Sequence, residues 1–390
     1  DEKGRLWVVE GMSYPRKRGD GKGKDRIIIL EDPLGDGSYG KSTVFYEGLD
    51  LVSGIEVGHG GVWIGAAPEL LFIPKDAQDK PGKPRVVLDG WAMQDTHETL
   101  NSFTWGPDGW LYGCHGVFTH SNVGKPGAPD SERKRINAGV WRLHPLTKEF
   151  EIFAEGTSNP WGLDYDKHGE MFITACVIPH LYHVFPGGRY QRQAGQHFDP
   201  YTYDDIKTIA DHAHFTGSVL YRPVERGVVQ PQSTDEAGGG HAHCGLAIYN
   251  GDNFPAEYQG LLLFGNLHGH RVVSDSVEAK GSGYVGHHAA DLMRSNDAWF
   301  IPVTQRVGPD GALYVSDWTD KQTCHNNNLE TWDRGNGRIY RVSYGAAKSR
   351  ARDLTALKSQ ELLTIALDDP NEFFVRQARK VLAERAIEMS

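Results

Sequence analysis

Cysteine is scarce in this chain. Its 390 residues hold four, at positions 114, 176, 244 and 324. None forms a C-x-x-C or C-x-x-C-H motif, so no haem-attachment site is present, and four in so long a chain make no disulfide scaffold. Long apolar runs are missing too: nothing approaches the ~18 residues that a membrane-spanning helix needs. No Lys/Arg run stands out, and the formal net charge is -10, which argues against nucleic acid as a partner. No signal peptide is visible. The opening Asp1–Trp7 already reads as a turn entering a strand, and the expectation is a processed N-terminus.

Glycine and tryptophan are plentiful, with 47 and 10 residues, and they fall in a recurrent pattern. A Gly turn followed by an aromatic or β-branched strand occurs six times. The copies are Gly4–Glu10, Gly61–Gly65, Gly106–His115, His168–Ala175, Gly260–Asn266 and Gly308–Asp317. Each reads as a hairpin of strand, tight turn and strand. The copies recur every fifty to ninety residues or so, which suits one four-stranded blade plus loops. The fold expected is therefore all-β, a six-bladed β-propeller over residues 1–345. A β-sandwich is the weaker alternative, because sandwiches do not repeat one hairpin at blade spacing. The widest gap holds Pro186-Gly-Gly and the acidic stretch Tyr201–Asp205, read as an inserted loop over one face.

The tail changes period. From Leu354 to Arg385 apolar residues recur at helical spacing around Asp369-Pro370. Residues 351–390 read as a HEAT-like helical pair. A lone unit cannot bury both faces, so it either packs on the propeller or begins an array. The apolar Leu362, Leu363, Phe374, Val375 and Leu382 favour packing on the propeller flank.

Propeller geometry turns the repeat into a site. Residues just before each inner strand and just after each second strand share one rim. That rim collects Glu10, Asp50, His97, Asn101, His115, Asn159, His241, His243, His268, Asp297, Asp317 and Trp318. Each histidine alone reads as structural; five at one mouth point to function. His97, in Asp95-Thr-His-Glu98, has the chemistry of a general base toward a substrate hydroxyl, oriented by Asp95 or Glu98. His241-Ala-His243 places two imidazoles on one side of an extended strand, and with His115 and His268 they make a candidate divalent-metal set. A stacked or solvated pair is an equal reading of His-x-His. Cys114 and Cys244 read as packing groups beside them.

Several motifs carry a family likeness. Phe103-Thr-Trp-Gly-Pro-Asp-Gly109, Ser158-Asn-Pro-Trp-Gly-Leu163, Gly245-Leu-Ala-Ile-Tyr249, Val307–Tyr314 and Gly337–Arg341 occur in an order that resembles the glucose/sorbosone dehydrogenase superfamily, six-bladed propellers that use pyrroloquinoline quinone. Asp95–Asn101, Gly240–Gly245 and Asn266–His270 resemble more closely the propeller module of large planctomycete and verrucomicrobial proteins. Those are described as membrane-bound dehydrogenases with HEAT repeats and a C-terminal haem-binding domain, which is missing here. The resemblance implies that His97 is the proton-abstracting histidine and that Asn101, Asn159 and Trp161 contact the cofactor. It also implies export to the periplasm and a c-type cytochrome partner. Two departures stand out. Ser158 replaces an expected arginine, and Trp299-Phe-Ile-Pro302 replaces an arginine-rich approach to the last inner strand. A quinone with three carboxylates needs such cations, so both departures weigh against it.

The leading expectation is a sugar or polyol oxidoreductase in which His97 deprotonates a hydroxyl. A metal-dependent carbohydrate lyase or hydrolase is the second, and a non-catalytic binding propeller the third.

Overall fold

The computed structural model describes residues 1–19, 21–32, 34–176, 179–198, 204–214, 241–322, 331–346 and 349–388. Cys324 and positions 201–203 of the acidic stretch lie outside them. The chain is mostly β. Among the described residues, six sheets of three or more strands follow one another in chain order. The first holds β1 (Leu6–Glu10), β2 (Asp25–Glu31) and β3 (Lys41–Leu49). The second holds β4 (Gly54–Gly58), β5 (Gly61–Ala66), β6 (Glu69–Pro74) and β7 (Arg85–Asp89). In the third, β8 (Asn101–Trp105) and β9 (Leu111–His115) are followed by a small hairpin, β10 (Ser121–Val123) and β11 (Lys134–Ile136). That sheet resumes with β12 (Gly139–Leu143) and β13 (Phe150–Thr157). The fourth is β14 (Pro160–Tyr165), β15 (Met171–Ala175) and β16 (Leu181–Val184). The chain then returns to the third sheet as β17 (Gly188–Arg192), parallel to β13. The fifth is β18 (His243–Ile248), β19 (Leu262–Asn266), β20 (Arg271–Lys280), β21 (Gly283–His288) and the short β22 (Met293–Arg294), which pairs with β20. The sixth is β23 (Pro302–Val307), β24 (Leu313–Asp317) and β25 (Arg338–Val342).

Five of the six repeated copies become second strands, β5, β9, β15, β19 and β24, each antiparallel to the strand before it. The first copy differs: β1 is an edge strand that pairs only with β2 among the described strands. The Gly-Pro-Asp-Gly turns explain the repetition locally. Gly109 and Gly311 sit at φ +80° and +69°, where glycine bears no steric penalty. The turn carboxylates are structural. Asp108 accepts from the Tyr112 hydroxyl and pairs with Arg142, and Asp310 does the same for Tyr314 and Arg341.

Apolar clusters join each sheet to the next. Ile27, Ile29 and Phe45 meet Val62 and Ile64 between the first two sheets. Trp63 and Leu88 meet Phe103 and Trp141, and Tyr112 and Val140 meet Leu163 and Tyr182. Phe172 and Leu181 meet Leu246 and Phe264, and Leu263 and Val272 meet Leu313 and Val315. The sixth sheet reaches the first through the edge-on rings of Tyr39 and Tyr314, 5.6 Å apart. Each large apolar side chain buried this way contributes about 1.5–3 kcal/mol.

The tail forms α1 (Ser359–Asp368) and α2 (Glu372–Glu388). Their apolar residues, Leu362, Ile365, Phe374, Ala378 and Val381, pack mainly on each other and on Leu354. Leu363 is 44% exposed, contrary to expectation. The helices do not lie on the flank. They cross the face of the Gly turns, at the ends of the inner strands, and polar groups make that contact. Arg376 pairs with Asp164 at 2.6 Å and donates to Tyr165 O. Lys380 reaches Glu2 Oε2 at 3.0 Å and Val57 O at 3.2 Å. Asn371 donates to Gly308 O. Burial alone would lower the Lys380 pKa, but Glu2, Glu384 and Glu56 outweigh it and raise it. The face opposite these helices is left for a site.

Candidate functional site

His97 lies in the loop between β7 and β8 and is half-buried. Its Nδ1 is bonded to the hydroxyl of Tyr14, from the loop after β1. Tyr14 also meets the rings of Trp318 and Trp332 edge-on, at 4.8 and 5.2 Å. The imidazole therefore stands beside an aromatic wall. Asp95 braces the loop by accepting from the His97 backbone N–H at 3.0 Å. The ring partner expected to be Asp95 or Glu98 is thus Tyr14, 83 residues away in sequence.

Glu98 points elsewhere. Its buried carboxyl accepts from the Cys176 thiol, with Sγ–Oε1 at 2.8 Å, and Cys176 Sγ is 3.5 Å from Cys244 Sγ. Burial, together with Cys176 and Asp95 nearby, pushes its pKa well above the ordinary carboxylate range. The shift favours the protonated acid. Cys114, Cys176 and Cys244 are all buried.

The residues that the resemblance assigns to a quinone do not fit one. Asn101 is fully buried; its Nδ2 donates to Thr99 O and its Oδ1 accepts from Ser102. Asn159 Oδ1 accepts from Val117 N at 2.7 Å. Trp161 is partly exposed on β14, where its carbonyl accepts from Thr174. Ser158, at the expected arginine position, bonds Gln193 Oε1. The Asn101 amide and Asn159 Oδ1 are held within the protein, and Ser158 and Trp299–Pro302 themselves supply no guanidinium.

The expected metal quartet is split into three. His115 is buried, with Nε2 at 2.7 Å from Ser121 Oγ and Nδ1 at 3.0 Å from Gly116 O, and it stacks on Trp91. His241 and His268 face one another, with ring centroids 4.2 Å apart. His243 turns the other way, toward His180 and His214, at 4.9 and 5.3 Å. The same-side expectation for His241 and His243 fails because the strand begins only at His243. Ala242 has φ +67°, which breaks the two-residue alternation.

A different set converges. His180, His212, His214 and Asp275 bring one ligand atom each within 4.8 Å of one another. Asp275, in the middle of β20, contacts His180 Nε2 at 2.7 Å through Oδ2. Through Oδ1 it contacts His212 and His214 Nε2 at 3.1 and 3.0 Å. His180 precedes β16, and His212 and His214 belong to the long insertion between β17 and β18. Tetrahedral bonds of ~2.0–2.1 Å hold donor atoms about 3.3 Å apart, so the spacing suits a divalent transition metal. Burial alone would raise the Asp275 pKa, but the three imidazoles hold it well below the ordinary value. Burial lowers His214 to about 4. At His212 burial is outweighed by Asp275 and Asp211, which raise its pKa, so metal binding there would have to displace a proton. His288 Nδ1 stands 3.8 Å from Asp275 Oδ1 on the more open side.

One sequence signal for this set was available. Asp211-His-Ala-His214 is a second His-Ala-His, placed in the stretch read as a covering loop. His180 and Asp275 carry no local signal, since a lone His and a strand Asp look ordinary.

No curated protein matches this chain. Among solved structures, the chain is similar to the quinone-bound aldose sugar dehydrogenase of Streptomyces coelicolor, with 15% identity and TM-score 0.48, covering 87% of this chain and 98% of that one. It is similar to the soluble aldose sugar dehydrogenase of Escherichia coli in its apo form, with 15% identity and TM-score 0.36 over 75% and 96%. It is also similar to a calcium-binding regucalcin of Agrobacterium tumefaciens, with 12% identity and TM-score 0.43 over 90% and 94%. With TM-scores below 0.5, none of these bears on what this chain does. The family described as "Domain of unknown function (DUF7133)" matches residues 1–346, and the chain belongs to that family.

Proposed function

We propose that this chain is a metal-dependent enzyme acting on a carbohydrate or polyol, built on a six-bladed β-propeller that its HEAT-like tail caps at one end. The architecture is supported by the six successive sheets and the apolar clusters that join each pair of neighbours. The observation that carries the function is the convergence of His180, His212 and His214 on the buried Asp275. His180, His212, His214 and Asp275 would hold a divalent ion, which would supply Lewis acidity toward a substrate oxygen or a water. His97, held by Tyr14, takes the proton from a substrate hydroxyl or carbon acid. Tyr14 and Trp318, backed by the buried Trp332, offer ring surface on which the C–H face of a sugar can pack.

The dehydrogenase reading ranks second. It is favoured by the motifs around His97, and it needs an electron acceptor. Of the positions assigned to a quinone, the Asn101 amide and Asn159 Oδ1 are taken up by internal hydrogen bonds. Export to the periplasm and a c-type cytochrome partner rest on the motif resemblance alone.

Elemental and optical analysis of untagged protein tests the choice. Near-stoichiometric transition metal without a chromophore is the expected result, and a His212→Ala/His214→Ala variant should lose it while keeping its circular-dichroism spectrum. A quinone-like absorbance with no metal would overturn the proposal in favour of the dehydrogenase.

A further inference from the structure

A second cavity, of about 330 Å³, opens beside the His97 loop. Two arginines, Arg135 and Arg192, and two histidines, His120 and His197, line it with Phe118 and Phe198. Among the described residues no carboxylate lines it; Asp205 stands behind the wall, with Oδ1 3.3 Å from His197 Nε2. Arg192 is fixed by neutral oxygens: it donates to Asn137 O at 2.7 Å and to Ala194 O at 3.2 Å. Asn137 Oδ1 and Val117 O also accept from it, at 3.2 and 3.5 Å, so these bonds fix the guanidinium at the wall, with Asp205 and Glu155 acting on it from behind. The Arg135 guanidinium lies 3.9 Å from the Phe198 ring centroid, and the His120 ring meets the same ring edge-on at 5.5 Å. Neither arginine forms an ion pair among the described residues.

The cavity is tied to the catalytic loop. His120 N donates to Gln94 Oε1 at 3.1 Å, and Thr119 Oγ1 donates to Asp95 O at 3.1 Å. Asp95 in turn holds the His97 backbone. One short segment, 117–120, thus forms a wall of the cavity and a brace for the proposed base.

We propose that this cavity is a subsite for an anionic sugar, whose carboxylate or sulfate ester pairs with Arg135 and Arg192 while its ring packs on Phe118 and Phe198. The inference deepens the carbohydrate reading given above and rests on it. The shared chemistry is a planar or tetrahedral oxyanion on a pyranose, which a guanidinium fork recognises by paired charge-assisted hydrogen bonds. The structural alternative is that Arg192 only pins loops and Arg135 only covers the Phe198 ring; it predicts no sugar preference that depends on Arg135.

Calorimetry on the full chain in low salt tests this with four probes: D-glucuronate, glucose 6-sulfate, D-glucose and inorganic sulfate. At least one anionic sugar should bind about ten-fold or more tighter than glucose, and Arg135→Ala should remove that preference. Whichever arm binds identifies the oxyanion. Equal binding of glucose, inorganic sulfate binding as tightly as the sugars, or an undiminished preference in Arg135→Ala each overturns the subsite. Arg135 is exposed, so that variant folds as the parent does. The two readings fail separately. An anion preference in protein that holds no metal sinks the metal-dependent enzyme and keeps the subsite. Stoichiometric metal with no anion preference does the reverse.

Discussion

The Nε2 atoms of His212 and His214 stand 3.3 Å apart, aimed at each other across a single carboxylate oxygen. Two neutral imidazoles can share one proton in such a contact, whereas a metal ion satisfies both lone pairs at once. Chelation should therefore lower the melting temperature, and returning zinc, manganese or iron should restore it. A ligand that binds only the folded state stabilises it by about 2.7 kcal/mol at one hundred times its Kd. In Asp275→Ala the melting temperature should no longer respond to chelator. A chelator-insensitive wild type counts against the metal centre.

His97 and the candidate metal ligands are different side chains with different proposed roles, so their variants should separate. His97→Ala should reduce turnover by ~10²–10⁴-fold with metal content unchanged. Tyr14→Phe should cost less and should move the pH profile of kcat/KM, because it removes the hydroxyl on His97 Nδ1 and leaves the imidazole. An unchanged profile in Tyr14→Phe would assign the tyrosine to packing.

Lys380 and Glu2 form a buried ion pair that fastens the tail helices across the Gly-turn face. Lys380→Ala leaves the Glu2 carboxylate without this partner in a buried setting, and about 3–5 kcal/mol of stability should be lost. Denaturant unfolding measures it. A loss under 1 kcal/mol or so, the range of an exposed pair, would show that water reaches this contact.

Acid should weaken the fold through His59 and His115. Burial holds both imidazoles at about 4, below the 6.5 of the unfolded chain. Between these values the unfolded chain binds protons that the native state refuses, so stability falls as pH drops from about 6.5 to about 4. Each group contributes up to about 3 kcal/mol to that slope. Urea midpoints at pH 7 and pH 5 read the effect, and His115→Gln should flatten it.

Glu98 has the opposite sign. Its folded pKa is raised, so the native state holds a proton that the unfolded chain releases above about 4.5, and stability is lost as pH rises through that window. Glu98→Gln, neutral at every pH, should become the more stable of the two proteins as the pH goes from 5 to 8. Parallel stability curves for the two proteins would mean that Glu98 is ionised in the fold.

The sequence by itself determined the repeat. Gly106-Pro-Asp-Gly and Gly308-Pro-Asp-Gly are local turns whose positive φ only glycine meets cheaply, and the aromatic and β-branched runs after them have no other use than strands. Strand direction gave the expectation that His97 lies on the face away from those turns. The helical period of the tail was legible for the same local reason, but its seat was not. Arg376–Asp164 and Lys380–Glu2 join residues 212 and 378 apart in sequence, and no spacing rule reaches that far.

Only the tertiary structure decided the site. The single dihedral of Ala242 sends His241 to His268 and His243 to the opposite side, a choice invisible to an alternation rule that assumes extended backbone. The metal set draws His180 from one sheet, His212 and His214 from an insertion, and Asp275 from the next sheet. Such a cluster is defined by the packing of neighbouring sheets, and packing is a property of distances across the fold, which the order of residues along the chain does not contain.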